Sequence, residues 1–371
     1  MRNYLLWFMI LSILFSGSSI AQDDEVIPFD DGWYVFLEPD IDTTERNRLI
    51  FVNALTGEEN ELEHYGQRYT IVQDSVIFWD YSRQRVMIAD TDGGLREHPF
   101  IQPNLETLRI DWAVSEDHTQ IAWTLTNIDA NDFLATITTV ANIDGSNARI
   151  VLTDGPRADG RRMLPLEFNQ AGTILYMDVH LEGLDRFFQI RQYVNIFALD
   201  LSSGTQSLLP DEVAFYCICG ADISGDSFLR LRLNSFTSNY DLHVYDLVSE
   251  LSTVVEAVTF SDDYLFEGDI LISDDERFAV YGLSEVFDIG ETFQSSRTDF
   301  ILVDLDTMTQ ETLLARRATN LLRPVAWTEN NTAILVTSYA SDEVGTWKVS
   351  LADRRLVRIA DANYVGIITL R

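Results

Sequence analysis

One phrase recurs down this chain and limits its fold more than any other feature. "WAVSEDHTQIAWTLT" (Trp112 to Thr126) sets an apolar run, a polar turn from Ser115 to His118, and a second apolar run in succession. "LEFNQAGTILYMDV" from Leu166, "ADISGDSFLRLRL" from Ala221, "DILISDDERFAVYGL" from Asp269 and "VAWTENNTAILVTSY" from Val325 repeat it. Two short apolar runs joined by Asp, Asn, Gly and Ser predict antiparallel hairpins, because those residues accept left-handed backbone or bond the turn's own amides.

A second phrase follows the first after a gap of variable length. "IFALDLSSGTQSLL" starts at Ile196, "LHVYDLVSELSTVV" at Leu242 and "FILVDLDTMTQETLL" at Phe300. "LIFVNALTGEENEL" from Leu49 and "TWKVSLADRRLVRI" from Thr346 are looser copies. Asp200, Asp246 and Asp304 share one position, with Asn53 and Ser350 as equivalents. A short acceptor there is expected to tie down turn amides, which is a structural role.

Two hairpins make a four-stranded unit, and the period is about 50 residues, as in radially repeated sheets. Middle strands such as "FILVDL" and "TILYMDV" are apolar on both faces, as sheets covered on both sides require. The expected fold is all-β, a seven-bladed β-propeller of four-stranded antiparallel blades, with six or eight blades as alternatives. Units are expected to begin near Tyr69, Arg109, Leu164, Ala214, Tyr264 and Leu322, inner strand first. "GWYVFLEPD" and "RLIFVNALTGEENEL" supply three further strands, and "NYVGIITLR" at the C-terminus one more. Pairing the C-terminal strand with the first blade would complete a seventh sheet and close the ring without an open edge.

"SEDHTQIAW" from Ser115, and next to it "SDDERFAVY" from Ser273, resemble the "SPDG–IAF" phrase of TolB-type (WD-like) propeller repeats. The resemblance covers most of the chain after its leader, in degenerate copies; the glycine after the aspartate is replaced in both by another residue. It implies an exported propeller of a kind often used as a protein-binding scaffold. The shared motif is structural, so it carries no catalytic residue over.

Composition narrows the function. The 371 residues are 46% apolar and carry a formal charge of −33. That charge argues against nucleic acid and against docking on anionic lipid, since both need a basic surface. "MRNYLLWFMILSILFSGSSIAQDD" places Arg2 before an apolar run from Tyr4 to Phe15, with Ser19 and Ala21 at small-residue positions. Residues 1–21 therefore read as a signal peptide and 22–371 as a single propeller domain. An exported protein follows, periplasmic, cell-surface or extracellular, with no membrane span after cleavage. A monomer is expected. The only cysteines, Cys217 and Cys219, are expected to pair in the oxidising compartment, with two buried thiols as the alternative.

Long loops on a rigid scaffold are where binding residues usually sit. The connections between second and third strands, and between blades, open on one face. The longest second-to-third connections are His180 to Tyr193 and Ser284 to Asp299; those from Asn127 and Asn234 are shorter. Phe187, Phe188, Tyr193, Phe236, Tyr240, Phe287 and Phe293 lie in or beside them and are candidate anchors for a protein or peptide, self-packing being the alternative. Arg68, Arg109, Arg162 and Arg323 stand where inner strands begin, at the expected channel mouth. Together they would bind a small acidic ligand through planar two-pronged contacts; alternatively each pairs with a nearby acid, Glu106, Asp111, Asp159 or Glu329.

No nucleophile elbow, phosphate loop or dinucleotide fingerprint is present. The histidines show no metal spacing, and "DTDGG" and "IDANDF" lack the closing glutamate of a calcium loop. No cofactor or metal is expected. The leading expectation is a binding scaffold using its loop-rich face. A glycan-active lyase or hydrolase with its site in the central channel is the enzymatic alternative.

Overall fold

The computed structural model describes residues 32–39, 46–183, 191–210, 212, 219–257, 266–287, 295–318, 321–338 and 344–369. The expected signal peptide, residues 1–21, lies outside them. Every element among the described residues is a strand or a turn, and no helix is long and apolar enough to cross a membrane.

The strands form seven four-stranded antiparallel sheets. Blade 1 holds β1 (Gly32–Pro39), β2 (Asn47–Asn53) and β3 (Glu59–His64). Blade 2 holds β4 (Gln67–Val72), β5 (Ser75–Asp80), β6 (Arg85–Asp90) and β7 (Leu95–Glu97). Blade 3 holds β8 (Thr107–Val114), β9 (Gln120–Ile128), β10 (Leu134–Asn142) and β11 (Arg149–Arg157). Blade 4 holds β12 (Arg161–Phe168), β13 (Ile174–Leu181), β14 (Ile196–Asp200) and β15 (Gln206–Leu208). Blade 5 holds β16 (Ala221–Ser224), β17 (Ser227–Asn234), β18 (Asn239–Asp246) and β19 (Leu251–Val255). Blade 6 holds β20 (Phe266–Ile272), β21 (Phe278–Phe287), β22 (Ser295–Asp304) and β23 (Thr309–Ala318). Blade 7 holds β24 (Leu322–Thr328), β25 (Ala333–Ser338), β26 (Thr346–Ser350) and β27 (Leu356–Ala360).

The final strand, β28 (Asn363–Thr369), is the inner strand of blade 1. It runs antiparallel to β1, from Gly32 opposite Thr369 to Leu37 opposite Asn363. The chain ends thus close the ring, as the sequence pattern predicts. Inner strands begin at Gln67, Thr107, Arg161, Ala221, Phe266 and Leu322. Blade 5 differs most from expectation: Ala214 lies outside the described residues, and its inner strand starts at Ala221 and is only four residues long.

Apolar clusters fill the spaces between neighbouring blades. Phe51 and Val35 of blade 1 pack with Phe78 and Met87 of blade 2, and Leu229 and Leu242 of blade 5 pack with Tyr281 and Ile301 of blade 6. The second strands β5 and β25 are buried at every position, because each is covered by a blade on either side. Among the described residues the seam between blades 7 and 1 has the smallest cluster, built on Tyr34, Phe36 and Ala362.

The turns show why the two phrases repeat. Ser115 Oγ accepts the amides of Thr119 (3.2 Å) and Gln120 (2.9 Å) and donates to Asp117 (2.7 Å). Ser273 does the same with Phe278 N and Asp275. His118 and Glu276, which replace the glycine of the phrase, sit in left-handed backbone at φ 54°. In the second phrase the Oδ1 atoms of Asn53, Asp200 and Asp246 each accept two turn amides at 2.8–3.0 Å. Asp304 Oδ1 accepts that of Thr307. Hydrogen bonds to the ionised form hold the Asp200 carboxyl down at about 2.

Candidate functional site

The four arginines expected at the channel mouth do not form a ring of free cations. Arg68, at the start of β4, reaches Asp111 on β8 at 2.5 Å. Arg162, on β12, is wholly buried; its Nη1 lies 3.7 Å from the other oxygen of Asp111 and its Nε 2.9 Å from Glu182. One buried carboxylate therefore sits between arginines of the blades on either side of it, which lowers the cost of removing the Arg162 charge from water. Arg109 is half-buried on β8. Arg323 is half-buried on β24, and its charge acts on Asp269 of β20. Of the other acids near in sequence, Asp159 pairs with Arg161 (3.5 Å) and Arg157 (3.8 Å), and Glu329 with Lys348 (2.9 Å).

A pocket opens between blades 4 and 5, lined among others by Leu166 and Glu167 of β12, Asp222 and Ile223 of β16, and Arg191 and Tyr193. The last two come from the connection between β13 and β14, whose end crosses to the neighbouring blades. Tyr193 forms a single antiparallel bridge with Cys219, its N–H donating to the Cys219 carbonyl at 3.1 Å. Arg230 of β17 locks that crossing from below. It donates to the Cys219 carbonyl (2.6 Å) and the Tyr193 carbonyl (3.1 Å), and its Nε lies 3.0 Å from Glu212. Glu212 in turn accepts the Ile196 amide at 2.9 Å. The Gln192 side chain donates to the Glu267 carbonyl, and the Arg191 amide meets Asp269 Oδ1 at 3.4 Å, so the same segment touches blade 6. The Arg191 guanidinium lies over the Tyr193 ring, 5.0 Å from its centroid, a cation–π arrangement.

Carboxyl groups around this segment are pushed towards the neutral form. Burial raises Glu167 to about 8, helped by the charges of Asp222 and Glu116 and opposed by Arg191. Burial raises Asp222 to about 7 against the amides of Ile272 and Ile223. Asp269 rises to about 6, again through burial, with Arg323 opposing. Two carboxyls that hold protons near neutrality, one arginine and one tyrosine can together donate and accept protons and grip a polar ligand.

The aromatic candidates separate. Phe236, at the tip of the β17–β18 hairpin, is 97% exposed, while Tyr240 packs against the core between blades 5 and 6. Tyr193 is buried in the pocket wall. Phe287 is half-buried and pairs with Ser295, because β21 and β22 extend far into the expected Ser284–Asp299 loop. Phe187, Phe188 and Phe293 lie outside the described residues, as does Cys217. No cysteine among the described residues is free, and Cys219 is buried in disulfide form.

Sequence reasoning missed Tyr81, Leu105, Leu108 and Phe133, all exposed, Leu105 at 94%. They lie in or beside the β5–β6, β7–β8 and β9–β10 connections, on the same face as Phe236 and the half-exposed Leu233. Large apolar residues inside polar connections were the available signal. Glu167, Asp222 and Asp269 carried none, since acids occur throughout the chain.

The molecule is thus a seven-bladed, C-terminally closed β-propeller with a polar pocket between blades 4 and 5 and apolar side chains exposed on its loop-rich face. Among solved structures it is similar to one from a study of two prolyl endopeptidases, at 9% identity over 92% of this chain and a TM-score of 0.61; the match spans 50% of that longer chain. It is also similar to a protein of unknown function from Desulfotomaculum acetoxidans, at 12% identity, 91% of this chain, 98% of the other and a TM-score of 0.52. TolB from Acinetobacter baumannii matches at 11% identity over 90% of this chain and 80% of the other, with a TM-score of 0.45. At these identities the shared property is the fold. No protein-family model matches the sequence, and no curated protein matches it significantly.

Proposed function

We propose that this protein is an exported binding scaffold that takes a protein or peptide on its loop-rich face. The observation that carries the reading is the exposure there of Tyr81, Leu105, Leu108, Phe133, Leu233 and Phe236. Large apolar side chains exposed in and beside connecting loops are usual anchors for a partner. Export rests on the N-terminal leader. A random peptide library selected on the wild-type protein tests the reading. Peptides so isolated should lose affinity at least tenfold for a variant combining Leu105→Ser, Phe133→Ser and Phe236→Ser. Unchanged binding by that variant defeats it.

The pocket favours a second reading, a glycan-active enzyme. Glu167 at about 8 and Asp222 at about 7 would each hold a proton to give at neutral pH, beside Arg191. Reducing-end release from a panel of oligosaccharides, abolished by Glu167→Gln and Asp222→Asn, would establish it. No release by the wild type from any member removes it.

A further inference from the structure

We infer that the outer edge of blade 5, strand β19, is a docking site for an extended, basic-flanked segment of another protein, which adds to the sheet as a fifth strand. Of the seven outer strands, β3, β7, β11, β23 and β27 all carry charged residues, and β11 also Pro156. β15 has no charge but is only three residues long. Charge, proline and shortness are among the ways edges are kept from pairing. β19, "LSTVV", uses none of them and pairs with β18 in unbroken register. From Leu251 to Val254 its alternate backbone groups face away from β18, and a further strand can pair there; beyond them Gln310 of β23 already donates to the Val255 (3.3 Å) and Glu256 (2.6 Å) carbonyls.

The side chains agree with the backbone. Leu251 is 69% exposed and Val254 46%, on opposite faces of the strand, and Val248 in the preceding turn is 72% exposed. An added strand with apolar side chains would cover both faces of this edge.

Charge decides the occupant. Between Arg232 and Arg277 there is no lysine or arginine, while eleven acidic residues occur. Glu250 and Glu256 bracket β19 directly. A second copy pairing antiparallel would bring these glutamates together across the joint, in a chain of charge −33. A partner strand with lysine or arginine at both ends meets the opposite field. This site lies on the rim and is independent of the loop-rich face.

The test uses a labelled peptide of alternating valine and threonine with two lysines at each end. Fluorescence anisotropy should show binding that weakens with salt, and hydrogen exchange should show new protection at β19 amides. Leu251→Lys with Val254→Lys, both at exposed positions, should weaken binding about tenfold or more without altering the unfolding midpoint. A peptide with proline at its centre, and one with glutamate flanks, should bind at least tenfold more weakly. Phe236→Ser should leave this binding intact, which separates it from the loop-face reading. The inference is overturned if the double variant or the proline peptide binds as well as its parent. It is also overturned if Phe236→Ser abolishes binding, or if sedimentation shows a wild-type dimer that the double variant dissociates.

Discussion

Glu267 offers a direct test of how the inner wall of blade 6 is held. It is 4% exposed, and burial pushes its carboxyl up to about 8 from the ordinary 4.5, although the Tyr240 hydroxyl hydrogen-bonds it and favours ionisation. In the unfolded chain the group ionises near 4.5; in the folded chain it keeps its proton until about pH 8. The folded state therefore binds more protons over that window, and stability falls as pH rises through it. The full difference is about 5 kcal/mol at 1.36 kcal/mol per pH unit. Relaxation of the wall and water entry on ionisation stabilise the charged form, so the expected effect is at least about 2 kcal/mol. Glu267→Gln keeps the shape and the contact with Tyr240 but removes the titration. Urea unfolding followed by tryptophan fluorescence should find the variant within about 1 kcal/mol of wild type at pH 5 and at least about 2 kcal/mol more stable at pH 8.5. Equal stability of the two proteins at both pH values would show that Glu267 ionises normally and refute the reasoning.

Removing the carboxylate shared by Arg68 and Arg162, as in Asp111→Ala, takes one of its acidic neighbours from the buried Arg162 and should cost about 3 kcal/mol or more in urea unfolding. His118→Gly relieves left-handed backbone in its hairpin turn and should raise stability by about 1 kcal/mol on the same measurement; Glu276→Gly relieves the same strain but loses the hydrogen bond from Ser227 Oγ (2.9 Å), so it should gain less. Phe78→Ala empties a fully buried site between blades 1 and 2 and should cost about 3–5 kcal/mol. A chain ending at Ala362 lacks the inner strand of blade 1; it should lose the sharp unfolding transition and bind a dye specific for exposed apolar surface.

Much of the fold is legible in the residues, because its rules are local. Ser115 and Ser273 bond amides within five residues of themselves, and Asp200 and Asp246 within three, so the turns can be read from short windows. The ring closure is legible for a different reason: three strands at one end and one at the other leave a single economical pairing, and β28 beside β1 is that pairing. The Ser284–Asp299 region reads less well. Its polar residues continue β21 and β22 as a paired ribbon, since the pairing from Ser284 opposite Thr298 to Phe287 opposite Ser295 satisfies their backbone whatever the side chains' polarity.

The structure fixed the count at seven blades; the sequence alone determined the all-β repeat, the turn chemistry, the two-sided burial of the middle strands and the joining of the chain ends. Each follows from hydrogen bonds or apolar spacing within one unit. Only the tertiary structure decided which charges meet. Asp111 finds Arg68 and Arg162 on separate blades, and Gln192 reaches the Glu267 carbonyl across 75 residues of chain. Such contacts depend on where the ring brings neighbouring blades, and every blade offers acids of the same kind. Burial then separates them: Glu167 and Glu267 hold protons near neutrality, while Asp200 in its exposed turn gives its proton up readily.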